Sequence, residues 1–557
     1  MGYFKVHKLS NILIFVFFVF CLFLHVSMDI SVLTHSQNEG VYFVAGQGLI
    51  NSHSMLPGRG IFFTPIYSLL IQICGFNTYA LIASHLLQTF IVCFIACLIF
   101  LILQKIIPDN FFPLFGVFIW LYLVTVPFGD YLLFEIQAHK AFEAELLCVL
   151  FSLMSIFFIT LAPSQFSYLF TGIISVIPLM AKANGIFFLF SLIVWFVLCI
   201  FKSKEKKSQV KFFSWFILGV SISLIALHVV LLIVTHDLIA YWRDNFSAGY
   251  YKFTNDVQAD FNLFSKIFRR QFSSKDIFIG TFFCTYSLYG LRKSVQLWEG
   301  KSLFWDLWLL FGIWGLGSLV AIIIPGKYEP YYYHLAWVPL AFAISFSWYR
   351  IANWLKRTGK VSMVYILNCV IILVLLSRLI ICSNTYSIIL NSAYKNSIFN
   401  QPESFQNYVT KSNEPNHYRD SELTFADGIN SLLPLNNDTV YVFNFPSPGF
   451  SAFTPNIYIY AKRYPPTYVL PEHLMYRHLL PRYIKKLKSD LEKNPPALFV
   501  LTNKPYFQSW QVADINPFLK WLLEFLNEKY KPVITFKSIH EEEKKVEEFL
   551  IYRRNYF

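Results

Sequence analysis

Carboxylates stand at the edges of long apolar segments in this sequence, where a proton could be taken from a substrate. Glu39 follows the first apolar segment, and Glu143 and Glu145 open a later one. A carboxylate in a partly dehydrated cavity is a stronger base than in water and can accept a proton from a hydroxyl group. Glu39 is therefore a candidate general base. Its alternative role is that of a helix-capping or solvated loop acid.

The two later carboxylates lie two residues apart and follow Lys140. Helical residues at this spacing do not share a face. We therefore expect only one of them to face a cavity, and we favour Glu143 as the second candidate base. The alternative is an exposed pair at the level of the lipid head groups, where it would contribute little.

Lys182 interrupts an apolar run that extends over 167–201. A charge at bilayer depth is costly, so it is usually retained for a use or for a partner. One interpretation is a cation aimed at an anionic ligand, where it would stabilise the charge on a departing phosphate. The other is a tight hairpin with a lysine that extends to the membrane surface.

A tyrosine-rich segment places Lys327, Tyr332 and His334 close together in the sequence. An ammonium group with hydroxyl and imidazole donors could bind a phosphate. An interfacial aromatic belt explains the tyrosines but leaves Lys327 and His334 unexplained. Arg243, in an aromatic-rich loop, is a further candidate for a polyprenyl phosphate, with lipid head groups as its alternative ligand.

Several catalytic motifs are missing from the sequence, which lacks a nucleotide-binding P-loop and the patterns GxSxG, HExxH, CxxC and DxD. ATP-driven transport would need a nucleotide site, and metal-dependent transfer from a sugar nucleotide would need an acidic pair. We therefore expect no bound cofactor and no metal ion in the site.

The composition indicates an integral membrane protein. Of the 557 residues, 56% are apolar and only 14% are charged, and the mean hydropathy is +0.49. Soluble domains carry about 25% charged residues. The net charge of +13 comes from lysines and arginines in short loops between apolar runs. This distribution is typical of cytoplasmic loops and not of a nucleic-acid-binding face.

A helix needs about 20 apolar residues to cross about 30 Å of hydrocarbon. The sequence predicts a polytopic helical protein with eleven spans, over 11–29, 78–104, 111–128, 141–161, 166–181, 184–201, 212–235, 276–290, 303–324, 335–349 and 361–383.

The loop charges predict the orientation of these spans in the inner (plasma) membrane. Alternate loops carry the dense lysine and arginine clusters, which places the N-terminus in the cytoplasm. The long first loop, 30–77, then lies outside, and its apolar stretch 61–74 is too short to span. We expect that stretch to be an interfacial or re-entrant piece.

The sequence divides into a membrane domain, 1–383, and an extracytoplasmic C-terminal region, 384–557, whose composition is that of a soluble α/β domain. Short β-rich runs predict strands at 439–445 and 497–501, and a final strand pair at 532–537 and 548–553. Helices are predicted over 475–491 and 517–529, and the charged run 541–548 is expected to be a solvated turn or helix face.

Taken in order, these features resemble the GT-C membrane glycosyltransferases, in particular family 39, which is related to protein O-mannosyltransferases and the lipid A aminoarabinose transferase. The resemblance rests on short motifs along nearly the whole chain: 38–42 (NEGVY), 45–49 (AGQGL), 63–65 (FTP), 140–146 (KAFEAEL), 179–185 (LMAKANG), 331–339 (YYYHLAWVP) and 490–497 (DLEKNPPA). The family commonly has Asp-Glu where this chain has Asn38-Glu39, and an asparagine cannot act as the base.

The resemblance implies a hexosyl- or pentosyltransferase that uses a polyprenyl-phosphate sugar outside the cytoplasm. Glu39 would act as base, with Glu143 second, on a glycan, lipid or protein acceptor. Lys182, Lys327 and Arg243, with Tyr332 and His334, would bind the donor phosphate. Direct attack would invert the anomeric centre. The alternatives are a lipid-linked glycan flippase, a non-catalytic accessory membrane protein, or an O-antigen polymerase or ligase.

Overall fold

The computed structural model describes residues 37–52, 63–107, 109, 111–125, 144–161, 164–203, 205–235, 303–323, 333–381, 420–433, 438–443, 456–470, 480–502, 509–540 and 545–555, together with isolated residues between 12 and 23 and between 238 and 242. Glu143, Arg243, Lys327 and Tyr332 lie outside these residues, as do the predicted spans 276–290 and most of 11–29.

The helices of the membrane region occupy apolar runs of the sequence. Their bounds are α1 Gln37–Ser52, α2 Phe63–Cys74, α3 Thr78–Ile106, α4 Phe111–Thr125, α5 Ala144–Thr160, α6 Gln165–Ser175, α7 Ile177–Ala181, α8 Ile186–Lys202, α9 Lys206–Thr235, α10 Leu303–Ile323, α11 His334–Arg357 and α12 Val361–Ile381. The stretch predicted as an interfacial or re-entrant piece contains α2.

Within the described residues, three helices are long and apolar enough to cross a membrane: Thr78–Ile106, Lys206–Ile233 and His334–Arg357. Shorter apolar helices occupy six more of the predicted spans. The described part of the chain is thus mostly helical, with segments that are long and apolar enough to span a membrane, and the count of eleven stays a prediction. Large apolar side chains such as Phe90, Ile225 and Ile366 are exposed on these helices, as expected for surfaces in contact with lipid.

Hydrogen bonds between helices fix which helix ends lie together. The Trp195 indole donates to the Asp306 carbonyl at 2.9 Å, and the Asn184 amide donates to the Ala321 carbonyl at 3.4 Å, so α8 and α10 are antiparallel. The Ser318 hydroxyl donates to the Leu335 carbonyl at 2.9 Å. The end of α10 therefore meets the start of α11.

We call the end of the bundle where α3, α5, α8 and α11 begin the Lys182 end, and the opposite one the Lys356 end. Asp109, between α3 and α4, lies 3.9 Å from Lys356 in the last turn of α11, which places the end of α3 at the Lys356 end. Lys105 and Lys206 lie at this end too. It is the end that the loop charges predict to face the cytoplasm.

The C-terminal region contains α13 Asp420–Leu432, β1 Val440–Phe443, α14 Asn456–Tyr460, α15 Leu480–Lys493, β2 Leu498–Thr502, α16 Ser509–Lys529, β3 Tyr530–His540 and β4 Lys545–Arg554. The sheet has the order β1-β2-β4-β3, with β1 and β2 parallel and the other pairs antiparallel. Aromatic and leucine side chains of α15 and α16 pack on it. The predicted strands and helices are present here, whereas residues 545–548 belong to β4 and not to a turn or helix.

The C-terminal region contacts the membrane helices at the Lys182 end. The Phe76 and Tyr464 rings meet edge to face at 5.7 Å between centroids. A Cβ atom on Gly48 would lie 2.9 Å from Tyr468 Cβ, so the backbone of α1 approaches this segment as only glycine allows. Burial, followed by the nearby Asp490 and Tyr468, raises the pKa of Tyr464, so its phenol stays neutral in this contact.

Candidate functional site

Glu39 lies in the first turn of α1 and is completely buried. The short helix α2 packs against α1, with Tyr67 against Tyr42 and Phe43 at centroid distances of 5.4 and 4.7 Å. Gly46 allows this approach, because a Cβ atom there would lie 2.8 Å from the Ser68 nitrogen. The packing of α1 and α2 thus excludes the Glu39 carboxylate from water. The sequence alone allowed either a solvated position or a position in a cavity.

The partner of Glu39 is His85, which lies 46 residues further along the chain in the second turn of α3. His85 Nε2 is 2.6 Å from Glu39 Oε1, and both side chains are closed to solvent. An imidazole N–H donated to a carboxylate fixes the orientation of both groups. The sequence analysis missed His85. The signal that could have found it is the polar set Ser84, His85 and Gln88 inside an apolar span.

A second buried carboxylate, Glu145, lies in the first turn of α5. The Lys182 ammonium group forms an ion pair and hydrogen bond with its Oε1 atom. The alternative interpretation, an exposed pair at head-group level, is therefore wrong for Glu145. Glu143, which we favoured for the cavity, lies outside the described residues. The sequence could not choose between the two because the rotation of a helix about its axis depends on its neighbours.

Lys182 caps the C-terminus of α7 in extended backbone, and its N–H donates to the Pro178 carbonyl at 3.0 Å. The Gly185 N–H donates to the Lys182 carbonyl at 2.9 Å. The connection from α7 to α8 is thus the tight hairpin that the sequence allowed for. Its lysine bonds to a buried acid and does not simply extend to the membrane surface.

His334 is the first residue of α11 and is buried, 2% exposed. The Ser318–Leu335 and Asn184–Ala321 hydrogen bonds bring its helix end next to the connection that carries Lys182. Glu39, His85, Glu145, Lys182 and His334 therefore all belong to the Lys182 end of the bundle.

The described residues contain no group of three or more His, Cys, Asp or Glu side chains that could hold a metal ion. Among them, the Lys182 end carries the two buried carboxylates with their partners, Glu39 with His85 and Glu145 with Lys182. The first could take up a proton, and the second could present a cation.

Comparisons with known proteins give a distant structural likeness. No protein-family model and no curated protein sequence matches the chain. The chain is similar to the oligosaccharyltransferase of Archaeoglobus fulgidus in its apo form, with a TM-score of 0.45, 11% identity, and coverage of 88% of this chain and 69% of that one. The same enzyme in complex with zinc and sulfate gives a TM-score of 0.42 at 11% identity, over 87% of this chain and 67% of that one. Likenesses at this level assign neither the fold nor the reaction.

Proposed function

We propose that the chain is a membrane glycosyltransferase that moves a hexose or pentose from a polyprenyl-phosphate donor to an acceptor hydroxyl on the outer side of the membrane. The observation that carries the proposal is the buried hydrogen bond between Glu39 and His85. A base within hydrogen-bond reach of a second group that orients it is the arrangement that removes a proton from a weak nucleophile.

In the proposed reaction the acceptor oxygen attacks the anomeric carbon of the donor sugar. The new bond joins that carbon to the acceptor oxygen, while the bond from the same carbon to the phosphate oxygen breaks. The leaving group departs as a polyprenyl phosphate anion, and the hydroxyl proton passes to the Glu39 carboxylate. Attack from the face opposite the phosphate inverts the anomeric centre.

His85 would act as a positioning residue. Its Nε2–H donates to Glu39 Oε1, so the other carboxylate oxygen is the one that would receive the proton. The pair is closed to solvent in this structure. The acceptor therefore needs an opened form, and the helices α1 and α2, which the C-terminal region contacts at Gly48, are the elements we expect to move.

The leaving phosphate needs cations and donors at the same end of the bundle. Lys182, Lys327, Arg243, Tyr332 and His334 are the proposed ligands, because charge that develops on the phosphate is stabilised by groups already in place. Nucleotide sugars and ATP are not supplied outside the cytoplasm, so a lipid-anchored donor suits a site on the outer face. The membrane lipids carry the donor to the site.

The proposal is tested by a transfer assay with the purified full chain and a panel of polyprenyl-phosphate hexoses and pentoses, offered with lipid, glycan and protein acceptors. Glu39→Gln keeps the size of the side chain and removes the base, so we expect the turnover number to fall by about 10²–10⁴-fold. Glu205→Gln makes the same change at an exposed residue of the Lys356 end and should leave turnover unchanged.

Full turnover in the Glu39→Gln variant would remove Glu39 as the base. Absence of transfer by the unmodified chain from every donor in the panel would contradict the proposal and favour a flippase or a non-catalytic accessory protein. A transferred sugar that retains its anomeric configuration would contradict the direct attack.

A further inference from the structure

The backbone of Lys182 is fixed, so only its side chain can respond to a ligand. A Cβ atom on Gly185 would lie 2.1 Å from the Pro178 carbonyl carbon, which shows how tightly the connection folds back on α7. Two backbone hydrogen bonds hold this connection on both sides of Lys182. They run from the Lys182 N–H to the Pro178 carbonyl and from the Gly185 N–H to the Lys182 carbonyl.

The backbone of Glu145 is held in place by a contact between α5 and α7. The Cys148 thiol, one turn further along α5, donates to the Pro178 carbonyl at 3.2 Å and ties α5 to α7. Helix α5 therefore cannot move away from Lys182 without breaking this contact. The two partners of the ion pair are held at a set separation by the backbone around Pro178.

The two partners differ in their surroundings. The Glu145 side chain is 0% exposed, whereas that of Lys182 is 16% exposed. Among the residues that the structure describes, Glu145 Oε2 has no hydrogen-bond partner. A buried carboxylate oxygen without a hydrogen bond keeps the cost of its removal from water. The Lys182 side chain is thus partly exposed beside its ion pair, and the Glu145 carboxylate keeps one oxygen without a hydrogen bond.

We infer, on the basis of the proposed function, that the Lys182 ammonium binds the phosphate of the polyprenyl carrier and that Glu145 competes with this phosphate for it. In the empty site Glu145 neutralises a cation that would otherwise be costly near the membrane. When the phosphate arrives, the ammonium turns toward it, and the fixed carboxylate repels the incoming anion. The carboxylate therefore weakens the binding of the carrier phosphate that leaves after transfer.

The competition predicts the direction in which phosphate affinity changes when Glu145 loses its charge, and a purely structural ion pair does not predict the same direction. Removal of the charge of Glu145 should tighten phosphate binding, because Lys182 then faces the phosphate with an uncompensated charge. If the pair only holds α5 to α7, the same change leaves phosphate binding unchanged or weakens it. Product that binds more tightly leaves more slowly, so tighter binding should accompany a lower turnover number.

The test measures the affinity of the full chain in lipid nanodiscs for farnesyl phosphate, with farnesol and inorganic phosphate as the tail-only and phosphate-only probes. Glu145→Gln should lower the Kd for farnesyl phosphate by about fivefold or more, because a full negative charge beside the site is removed. The double variant Glu145→Gln/Lys182→Gln removes both charges of this pair and should bind farnesyl phosphate more weakly than the unmodified chain. Farnesol should bind all three proteins alike.

Asp109→Asn is the matched control, because it removes one carboxylate beside a lysine at the opposite end of the bundle. It should leave the Kd for farnesyl phosphate unchanged, and a change equal to that of Glu145→Gln would point to net charge and overturn the inference. An unchanged or raised Kd in a monodisperse Glu145→Gln protein would overturn it, as would equal affinity of the single and double variants.

The experiments can contradict either proposal without contradicting the other. If the order of affinities holds but the unmodified chain transfers no sugar, the phosphate site stands and the glycosyltransferase proposal is lost. If the chain transfers sugar but Glu145→Gln does not tighten the binding of farnesyl phosphate, the competition is overturned and the enzyme remains.

Discussion

Two buried carboxylates lie at the same end of the bundle, and their partners differ in kind. Glu39 faces a histidine side chain that is 1% exposed, and Glu145 faces a lysine side chain that is 16% exposed. The Glu39–His85 pair is closed to solvent, whereas the Lys182 side chain of the other pair is partly exposed. Under the proposed function the first pair takes the proton and the second meets the phosphate, so the difference in exposure separates the two roles.

The largest loss of stability is expected for a substitution of Lys182. Lys182→Met leaves the enclosed Glu145 carboxylate without its cation, and we expect a loss of about 3–5 kcal/mol of stability, since an uncompensated buried charge is left behind. Thermal unfolding of the purified protein measures this as a lowered Tm. The double variant Lys182→Met/Glu145→Leu should recover most of the loss. If the single variant is as stable as the unmodified chain, the burial of Glu145 does not hold in solution.

A smaller effect is expected at His85, where two substitutions distinguish the contacting atom. The hydrogen bond is made by Nε2, which a glutamine amide nitrogen can replace and the shorter asparagine cannot. His85→Asn should therefore cost about 1–3 kcal/mol of stability for the unpaired carboxylate, and His85→Gln clearly less. The Tm values of the two variants provide the measurement. Equal losses would show that the imidazole ring packs there without positioning Glu39.

A substitution of Gly48 tests whether the contact between the C-terminal region and α1 keeps the Glu39–His85 pair closed to solvent. A Cβ atom there would meet Tyr468 Cβ at 2.9 Å, so Gly48→Ala should push the C-terminal region away from α1 at a cost of about 1–2 kcal/mol. We expect faster hydrogen exchange in residues 456–470 and in α1, measured by mass spectrometry. Unchanged exchange in both segments would show that this contact does not hold α1 in place.

The smallest effect is expected for the ion pair at the other end of the bundle. Lys356 and Asp109 are 3.9 Å apart and partly exposed, so water screens their attraction. Lys356→Ala should change stability by less than about 0.5 kcal/mol, read from the Tm, in contrast to Lys182→Met. A loss of stability as large as that of Lys182→Met would mean that the difference in burial between the two ion pairs does not affect stability.

Local sequence was sufficient for many of the elements. The apolar runs at 78–104 and 335–349 predict helices that the structure has at Thr78–Ile106 and His334–Arg357. The β-rich runs at 439–445 and 497–501 likewise predict β1 and β2. A run of apolar residues long enough to cross hydrocarbon must satisfy its backbone hydrogen bonds within itself, so its identity as a helix is set locally.

The site was harder to predict, because side-chain pairing depends on distant segments. The sequence singled out Glu39 and Lys182 as charges at the ends of apolar segments, but it did not give their partners. His85 lies 46 residues from Glu39, and Glu145 lies 37 residues from Lys182. No local rule sets these contacts. The sequence did not give the Glu145 pair for the same reason, since packing sets the rotation of α5, and the preference for Glu143 stays a prediction.

The sequence by itself thus determined that ionisable groups gather where apolar helices begin and end, because a charge inside hydrocarbon is too costly to place elsewhere. Only the tertiary structure decided which carboxylate meets an imidazole and which meets an ammonium group. It also decided which pair is sealed from water, because that depends on how α1, α2 and the C-terminal segment pack over the ends of the helices.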